Sequence, residues 1–427
     1  MLDRALGLLG GALWGWHVLL LILAAGASFS YSSAFFQLRG FGRWMGAALG
    51  RGQGKGRFRA IATALAGSIG TGNIVGVATA LTAGGPGALF WMWASAGLGM
   101  MTVYAENYLS ARFRRGPGPK AAGPLCYIEK AGKYGGALAA VYALGCCLSS
   151  LGMGGMVQTN ALASACSSLG VPPWATALGA GALVFFVARG GLRSAGRIAE
   201  KLVPAMSLLF FAASLGVLWV FRANLPGALQ RVFQGAFSLR AGLGGGAGML
   251  LAMRAGISRG VFTNEAGLGS SAFAYQGVEG HSPEELGRMG IFQVFADTTV
   301  MCTVTGLCIL CSMPPRQLEG AELTFYAYRA ALGPAGDWAV STCTALFALA
   351  TVVAWCCYGR EGLYYLAKGP LRRLYPALAA GAALAGCLLP LEHVFQLGDA
   401  FNGLMALPNL FALFYFAKDV KKSKDFM

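Results

Sequence analysis

Charge is what this sequence has least of. Only 12% of its 427 residues are Asp, Glu, Lys or Arg, and just 17 are acidic. An ordinary soluble domain carries about 25%, so that class is excluded. Histidine is scarcer still. His17, His281 and His393 stand far apart, which leaves no metal-binding cluster. No nucleophile has a base at usable spacing and no His-carboxylate cluster occurs, so the chain does not read as an enzyme. No ring of charges or carbonyl-filter repeat suggests a channel. Cysteine is present, 11 in all, including Cys146-Cys147, Cys356-Cys357 and Cys308-x-x-Cys311. These lie in apolar runs without partner ligands and read as small core residues.

Apolar residues make up 56% of the chain. They fall in blocks of about 20, the length that crosses a bilayer, which predicts an all-α integral membrane protein. Spans are expected at about 10–30, 61–83, 87–110, 137–160, 173–188, 202–221, 240–257, 289–312, 337–358, 374–390 and 400–417, eleven in all. Ala25-Gly26-Ala27 resembles a signal-peptidase site, but Asp3 beside Arg4 makes a weak n-region and the apolar run is long, so a retained helix is expected. The 64 glycines suit close packing and broken helices.

Net charge is +16, which could suggest nucleic acid, but 27 of the 33 Lys and Arg residues fall in alternate connecting segments. These include Arg39 to Arg59, Arg112 to Lys133, Arg189 to Lys201, the set Arg254, Arg259 and Arg288, and Lys418 to Lys424. The positive-inside rule then predicts an outside N-terminus and a cytoplasmic C-terminus in the cell membrane, with no nucleic-acid partner.

The stretch Ile61 to Arg112 is the most informative. Its first span is interrupted at Ser68-Ile69-Gly70-Thr71-Gly72-Asn73. Glycine costs about 1 kcal/mol against alanine inside a helix, and polar groups in hydrocarbon cost more unless paired. The segment therefore predicts an unwound joint lining a midplane site, the usual pointer to a secondary transporter. A second interruption is expected at Ala241 to Gly248, near the start of span seven. Two breaks at matching places in two five-helix halves are the trace of an inverted repeat.

With those motifs in hand, the chain resembles the alanine or glycine:cation symporter family of the amino acid–polyamine–organocation superfamily. The blocks that carry the resemblance are GTGNIVGVATALTAGGPGALFWMW with Tyr104-Ala105-Glu106, and RGVFTNEAGLGSSA from Arg259 to Ala272. Weaker ones are Val157 to Asn160, Asp297-Thr298, Trp355 with Gly359, and Asn402 to Leu410. The resemblance implies a leucine-transporter-like 5+5 inverted repeat with one extra N-terminal helix. That divides the chain into an extra helix at 1–35, a basic loop at 36–60, repeats at 61–221 and 222–418, and a tail at 419–427. It also implies uptake of alanine or glycine coupled to sodium, or in some members protons, with no organic cofactor. The chain departs from the family pattern in having Ala350-Thr351 where Ser-Thr is common, and Arg360 in place of a glutamate.

Roles follow from the joint. The half-helix after Gly72 points N–H groups and a positive dipole end at a carboxylate, so Thr71, Gly72 and Asn73 are candidate substrate contacts. Unwound carbonyls at Ala66 and Ile69 suit a sodium ion, with Thr351 as the added hydroxyl. By resemblance to the wider fold, Ser68 and Asn73 lie near a second ion position. Gln158 offers donor and acceptor to a zwitterion; Asn160 is weighed against a plain interhelical bond. Trp355 is a candidate pocket wall, and Gly244, Gly245 and Gly246 are candidates to contact the ammonium. Intramembrane acids are functional candidates by default. Asp297 is read as a proton carrier or as a buried acid held by a nearby donor or Arg. Glu106 and Glu265 are placed near the cytoplasmic face as gate or cap residues, paired with Arg112, Arg259 or loop backbone. The expected activity is sodium-coupled import by alternating access. The competing readings are proton coupling and a non-transporting amino-acid sensor.

Overall fold

Proline and glycine set many of the helix boundaries. In a computed structural model the described residues are 10–50, 57–114, 123–237, 247–276, 280–367 and 371–426. Among them the regular elements are all helical. The chain runs α1 (Trp16–Ser32), α2 (Arg57–Ser68), α3 (Val75–Gly84), α4 (Gly87–Arg112), α5 (Gly135–Leu151), α6 (Gln158–Ser168), α7 (Pro173–Gly190), α8 (Leu192–Val220) and α9 (Leu225–Phe237). It continues as α10 (Ala247–Asn264), α11 (Ser271–Tyr275), α12 (Pro283–Val294), α13 (Thr303–Ser312), α14 (Ala321–Leu332), α15 (Pro334–Leu366), α16 (Leu371–Leu388) and α17 (Leu391–Tyr415). Pro173, Pro283 and Pro334 open their helices, where a missing N–H is harmless. Ser282 and Glu285 close a reciprocal cap on α12. Gly191 turns the chain from α7 into α8 at φ 67°, a left-handed conformation that favours glycine.

Among the described residues, eight helices are long and apolar enough to cross a membrane, including Gly10–Ser32, Gly87–Arg112, Gly135–Ser168 and Pro334–Leu366. The other three expected segments coincide with the broken pair α2/α3, with α10 and with α16. Two of the long helices contain a π-helical turn, Gly152–Val157 between α5 and α6 and Phe295–Cys302 between α12 and α13. Such turns widen a helix and are frequent at functional sites.

Packing pairs the second to fifth expected spans with the spans five places later, whereas α8 packs on α15 and α2. The broken pair packs on α10 and α11, α4 on α12, α5 and α6 on α15, and α7 on α16. All eleven cysteines are free and all but Cys166 buried, filling helix contacts.

The basic segments meet at one end. Arg39 donates to the carbonyls of Ser33 and Asp425, Arg112 pairs with Asp419 at 3.1 Å, and Arg288 with Asp425 at 2.5 Å. Tyr104 donates to Asp425 Oδ2 at 2.9 Å, so the C-terminal tail is stitched to α4 and α12. Arg254 and Arg259 lie at the opposite end. They line a cleft of about 410 Å³ with Gly10, Trp14, Thr79 and Asp399, and Trp14 Nε1 donates to Ser258. The expectation that they share the side of Arg288 is therefore corrected, because α10 extends seven residues beyond the expected span 240–257. Moving two residues still leaves the bias strongly one-sided.

The tail contact makes a prediction. Asp425 has a side chain only 1% exposed, whereas Asp419 and its partner are 30% and 38% exposed. Removing one partner of a buried ion pair costs about 3–5 kcal/mol, an exposed pair about 0–1 kcal/mol. Asp425→Ala is expected to lower the thermal midpoint in detergent clearly and Asp419→Ala hardly at all; equal effects would overturn the assignment.

Candidate functional site

The first joint lies where it was expected. α2 ends at Ser68, Gly70 is extended, and Thr71–Asn73 forms a single tight turn before α3. Gly70 N–H, which would close the next helical turn on the Ala66 carbonyl, goes instead to Asn73 Oδ1 at 3.0 Å. The Ala66 carbonyl thus loses its helical donor, as a cation ligand requires. Thr351 Oγ1 of α15 donates to the Ile69 carbonyl at 3.3 Å. Ala66, Ile69 and Thr351 therefore form one neighbourhood. Ser68 does not join them here; its hydroxyl bonds back to Ala64 within α2.

Gln158 sits at the start of α6, just past the π turn. Its Oε1 accepts from Thr71 N at 3.1 Å and Thr71 Oγ1 at 2.9 Å, while its Nε2 donates to Met153 O. Gly70 is required by this approach, since a Cβ there would sit 2.5 Å from Thr351 Oγ1 and 3.1 Å from Gln158 Oε1. Thr71, Asn73, Gln158 and Thr351 are all buried, so the joint is closed to solvent in this conformation.

Asn73 faces the other way. Its Nδ2 donates to Asp297 Oδ1 at 2.8 Å and to Asp297 O at 3.0 Å, on the π turn of α12/α13. Thr298 donates to Asp297 Oδ2 at 2.7 Å and lies 3.0 Å from Thr263 Oγ1 of α10. The acid is held by donors, one of the readings proposed for it, and by no arginine among the described residues. Asn73 thus links the first joint to a second buried polar cluster.

The second break is the main surprise. Gly244, Gly245 and Gly246 lie outside the described residues. The interruption that the structure describes falls at Glu265–Ser270, between α10 and α11, inside the Arg259–Ala272 block. Glu265 at φ 60°, Gly267 at 89° and Gly269 at 70° turn the chain. The spacing E-A-G-L-G-S was the available signal for this further break.

Both acids read as gate or cap residues lie at this break. Glu265 takes neither Arg112 nor Arg259 as its partner. It is 1% exposed, accepts from Trp355 Nε1 at 2.7 Å and from the Ser270 hydroxyl, and so lies about one helical turn from Thr351 along α15. Glu106 of α4 accepts from Gly267 N at 2.9 Å, Gly269 N at 3.0 Å and Asn409 Nδ2 at 2.7 Å. Its partners are therefore loop backbone, as one expectation had it. Arg112 and Arg259 take Asp419 and Asp399 instead. Tyr127, raised above its usual pKa by burial, keeps its proton and donates to Asn409 Oδ1 at 2.5 Å. Tyr127, Asn409 and Glu106 thus form one chain that clamps the second break.

Trp355 is fully buried, and a Cβ on Gly154 would run into its ring. Asn160 donates to the carbonyls of Gly386 and Leu389. It makes a plain interhelical bond outside the joint.

Membrane-length helices, two buried breaks and polar side chains converging on them define a class: a multi-pass helical membrane transporter. The whole chain, residues 1–427, matches the sodium:alanine symporter family. It is 36% identical to the sodium/alanine symporter AgcS of Methanococcus maripaludis, over 94% of this chain and 91% of that one. An uncharacterised transporter of Haemophilus influenzae is 35% identical over 100% of this chain and 96% of its own. The putative sodium/proton-dependent alanine carrier protein YrbD of Bacillus subtilis is 30% identical over 96% and 89%. The chain belongs to the sodium:alanine symporter family. That family and these relatives are transporters, not enzymes.

Proposed function

We propose that the protein is a sodium-coupled symporter importing alanine or glycine across the cell membrane by alternating access. One observation carries the reading: the joint at Gly70 to Asn73 is served by Thr351 on one side and Gln158 on the other. The Ala66 and Ile69 carbonyls with the Thr351 hydroxyl are an all-oxygen set, suited to a hard cation. Thr71 and Gly72, with Gln158, are placed for an amino-acid carboxylate at the start of α3. Both cargoes then share one short stretch of backbone, so each stabilises the other's site, and reciprocal coupling follows. Trp355, oriented by Glu265, and the glycines facing it favour a small side chain.

The pairing of four spans with those five places later supports eleven spans in a leucine-transporter-like 5+5 repeat, with repeats at 61–221 and 222–418 after an extra N-terminal helix at 1–35 and a loop at 36–60, and a tail at 419–427. The basic end is assigned to the cytoplasm, with the N-terminus outside.

Radiolabelled alanine, glycine and larger amino acids, offered to proteoliposomes with sodium and proton gradients imposed separately, test this. Sodium-driven, electrogenic uptake of the two small substrates is expected. Binding without counterflow would select a sensor instead. Proton coupling has its own supporting observation, the buried Asp297 bonded to Asn73 of the joint. Uptake driven by a proton gradient and lost in Asp297→Asn would favour it. Thr351→Val removes one hydroxyl and nothing else in size. The apparent KM for sodium is expected to rise about tenfold, the loss of roughly one hydrogen-bond-sized contribution. An unchanged sodium dependence would remove Thr351 from the ion site.

A further inference from the structure

One face of α8 grades from charge to hydrocarbon. Arg197, Lys201, Ala205 and Leu208 follow at helical spacings that form a single stripe. The first three are exposed and Leu208 is 73% exposed, and the stripe continues to Leu215 and Trp219. From Arg197 to Trp219 is about 33 Å at 1.5 Å per residue, close to the roughly 30 Å of a bilayer's hydrocarbon. Arg222 stacks over the Trp219 ring at 4.7 Å, an interfacial anchor at the far boundary. Arg197 and Lys201 therefore sit at the near boundary. This is the end of the molecule that carries the tail, because Arg57 of α2 bonds Gly46 in the segment that follows Arg39.

Here α2 and α8 flank an open groove of about 770 Å³, lined by Arg59, Arg197, Lys201 and Glu200 with Ile198, Leu202 and Ala205. Gly196 allows the Arg59 stem to lie across α8, since a Cβ there would sit 2.7 Å from Arg59 Cγ. Arg59 pairs with Glu200 at 3.0 Å. Arg197 and Lys201 have no acidic partner among the described residues, so the groove holds two uncompensated cations. We infer that it binds the phosphate headgroup of an anionic phospholipid, with an acyl chain along Ala205 and Leu208. Two unpaired cations beside one phosphate disfavour a zwitterionic lipid, whose ammonium they repel. A free phosphate shares the headgroup chemistry but makes no use of the apolar stripe that continues from it. Basic pockets between membrane helices are known to take such lipids. A lipid held here bridges α2, which leads into the first joint, to α8. The inference stands apart from the transport reading, because it concerns occupancy alone.

The test is thermal unfolding of the purified protein in detergent with phosphatidylglycerol, phosphatidylcholine or inorganic phosphate added. Phosphatidylglycerol is expected to raise the midpoint by several degrees, and the other two are not. Arg197→Ala with Lys201→Ala is expected to abolish that rise while leaving the midpoint in phosphatidylcholine unchanged, since both side chains are exposed. Arg197→Lys with native Lys201 should retain most of it. An equal rise with inorganic phosphate would make this a free-anion site and overturn the lipid assignment. A full rise in the double variant would place the lipid elsewhere, and no rise in the native protein would remove the site.

Discussion

Replacing Glu106 by leucine is expected to leave almost no folded protein. The substitution removes one acceptor and strands two buried donors, Gly267 N–H and Gly269 N–H, while the Asn409 amide keeps only its bond to the Gly267 carbonyl. A buried donor left unpaired costs about 1–3 kcal/mol, so the two together cost roughly 2–6 kcal/mol, before the bond lost by Asn409 is added. The whole margin of a folded protein is about 5–15 kcal/mol. Glu106→Gln keeps an acceptor oxygen at the same reach and should be much milder. Size-exclusion profiles and thermal midpoints of the two variants decide the matter. A leucine variant as stable as the native protein would show that the second break holds its turn without Glu106.

Gln158→Leu should have the largest effect on transport among variants that still fold. Thr71 N–H and its hydroxyl both end on Gln158 Oε1, so the turn that presents the start of α3 loses its outside support. Sites built on hydrogen bonds lose large factors when a partner goes; uptake efficiency should fall about 10–100-fold. A structural role alone would lower the thermal midpoint and leave the alanine dependence intact. The proposal requires more: stabilisation of the protein by added alanine should also disappear. Retained alanine stabilisation with weakened folding would move Gln158 out of the substrate site.

Much of this site could be read before any coordinates, and the reason is chemical. Gly70, Thr71, Gly72 and Asn73 are a poor choice for lipid-facing helix, so their presence in an apolar span announces a break wherever the neighbours lie. Gln158 stood out as an amide in a hydrocarbon run, and Thr351 as the hydroxyl left at the family's Ser-Thr pair. Asp297 was legible as a buried acid but not as a partner of Asn73, because contact across 224 residues leaves no local trace. The break at Glu265–Ser270 was not read from the sequence. Composition drew attention to the glycine run at 241–248, whose residues up to 246 lie outside the described ones, and the chain turns at Glu265–Ser270, where Glu106 and Asn409 supply acceptor and donor to free the backbone from helix. Trp355 was visible as a large ring, but that it answers to Glu265 depended on where α15 lies against α10.

What the sequence determined alone is the material of the molecule: helices, their approximate lengths, their bias of charge, and one unavoidable joint. Those follow from hydrocarbon thickness and from the cost of unpaired polar groups, which act residue by residue. The tertiary structure decided which carbonyl meets which hydroxyl, where the second turn falls, and which end Arg254 and Arg259 occupy. Those depend on partners brought together from far along the chain, and a buried polar group takes its meaning from the partner that satisfies it.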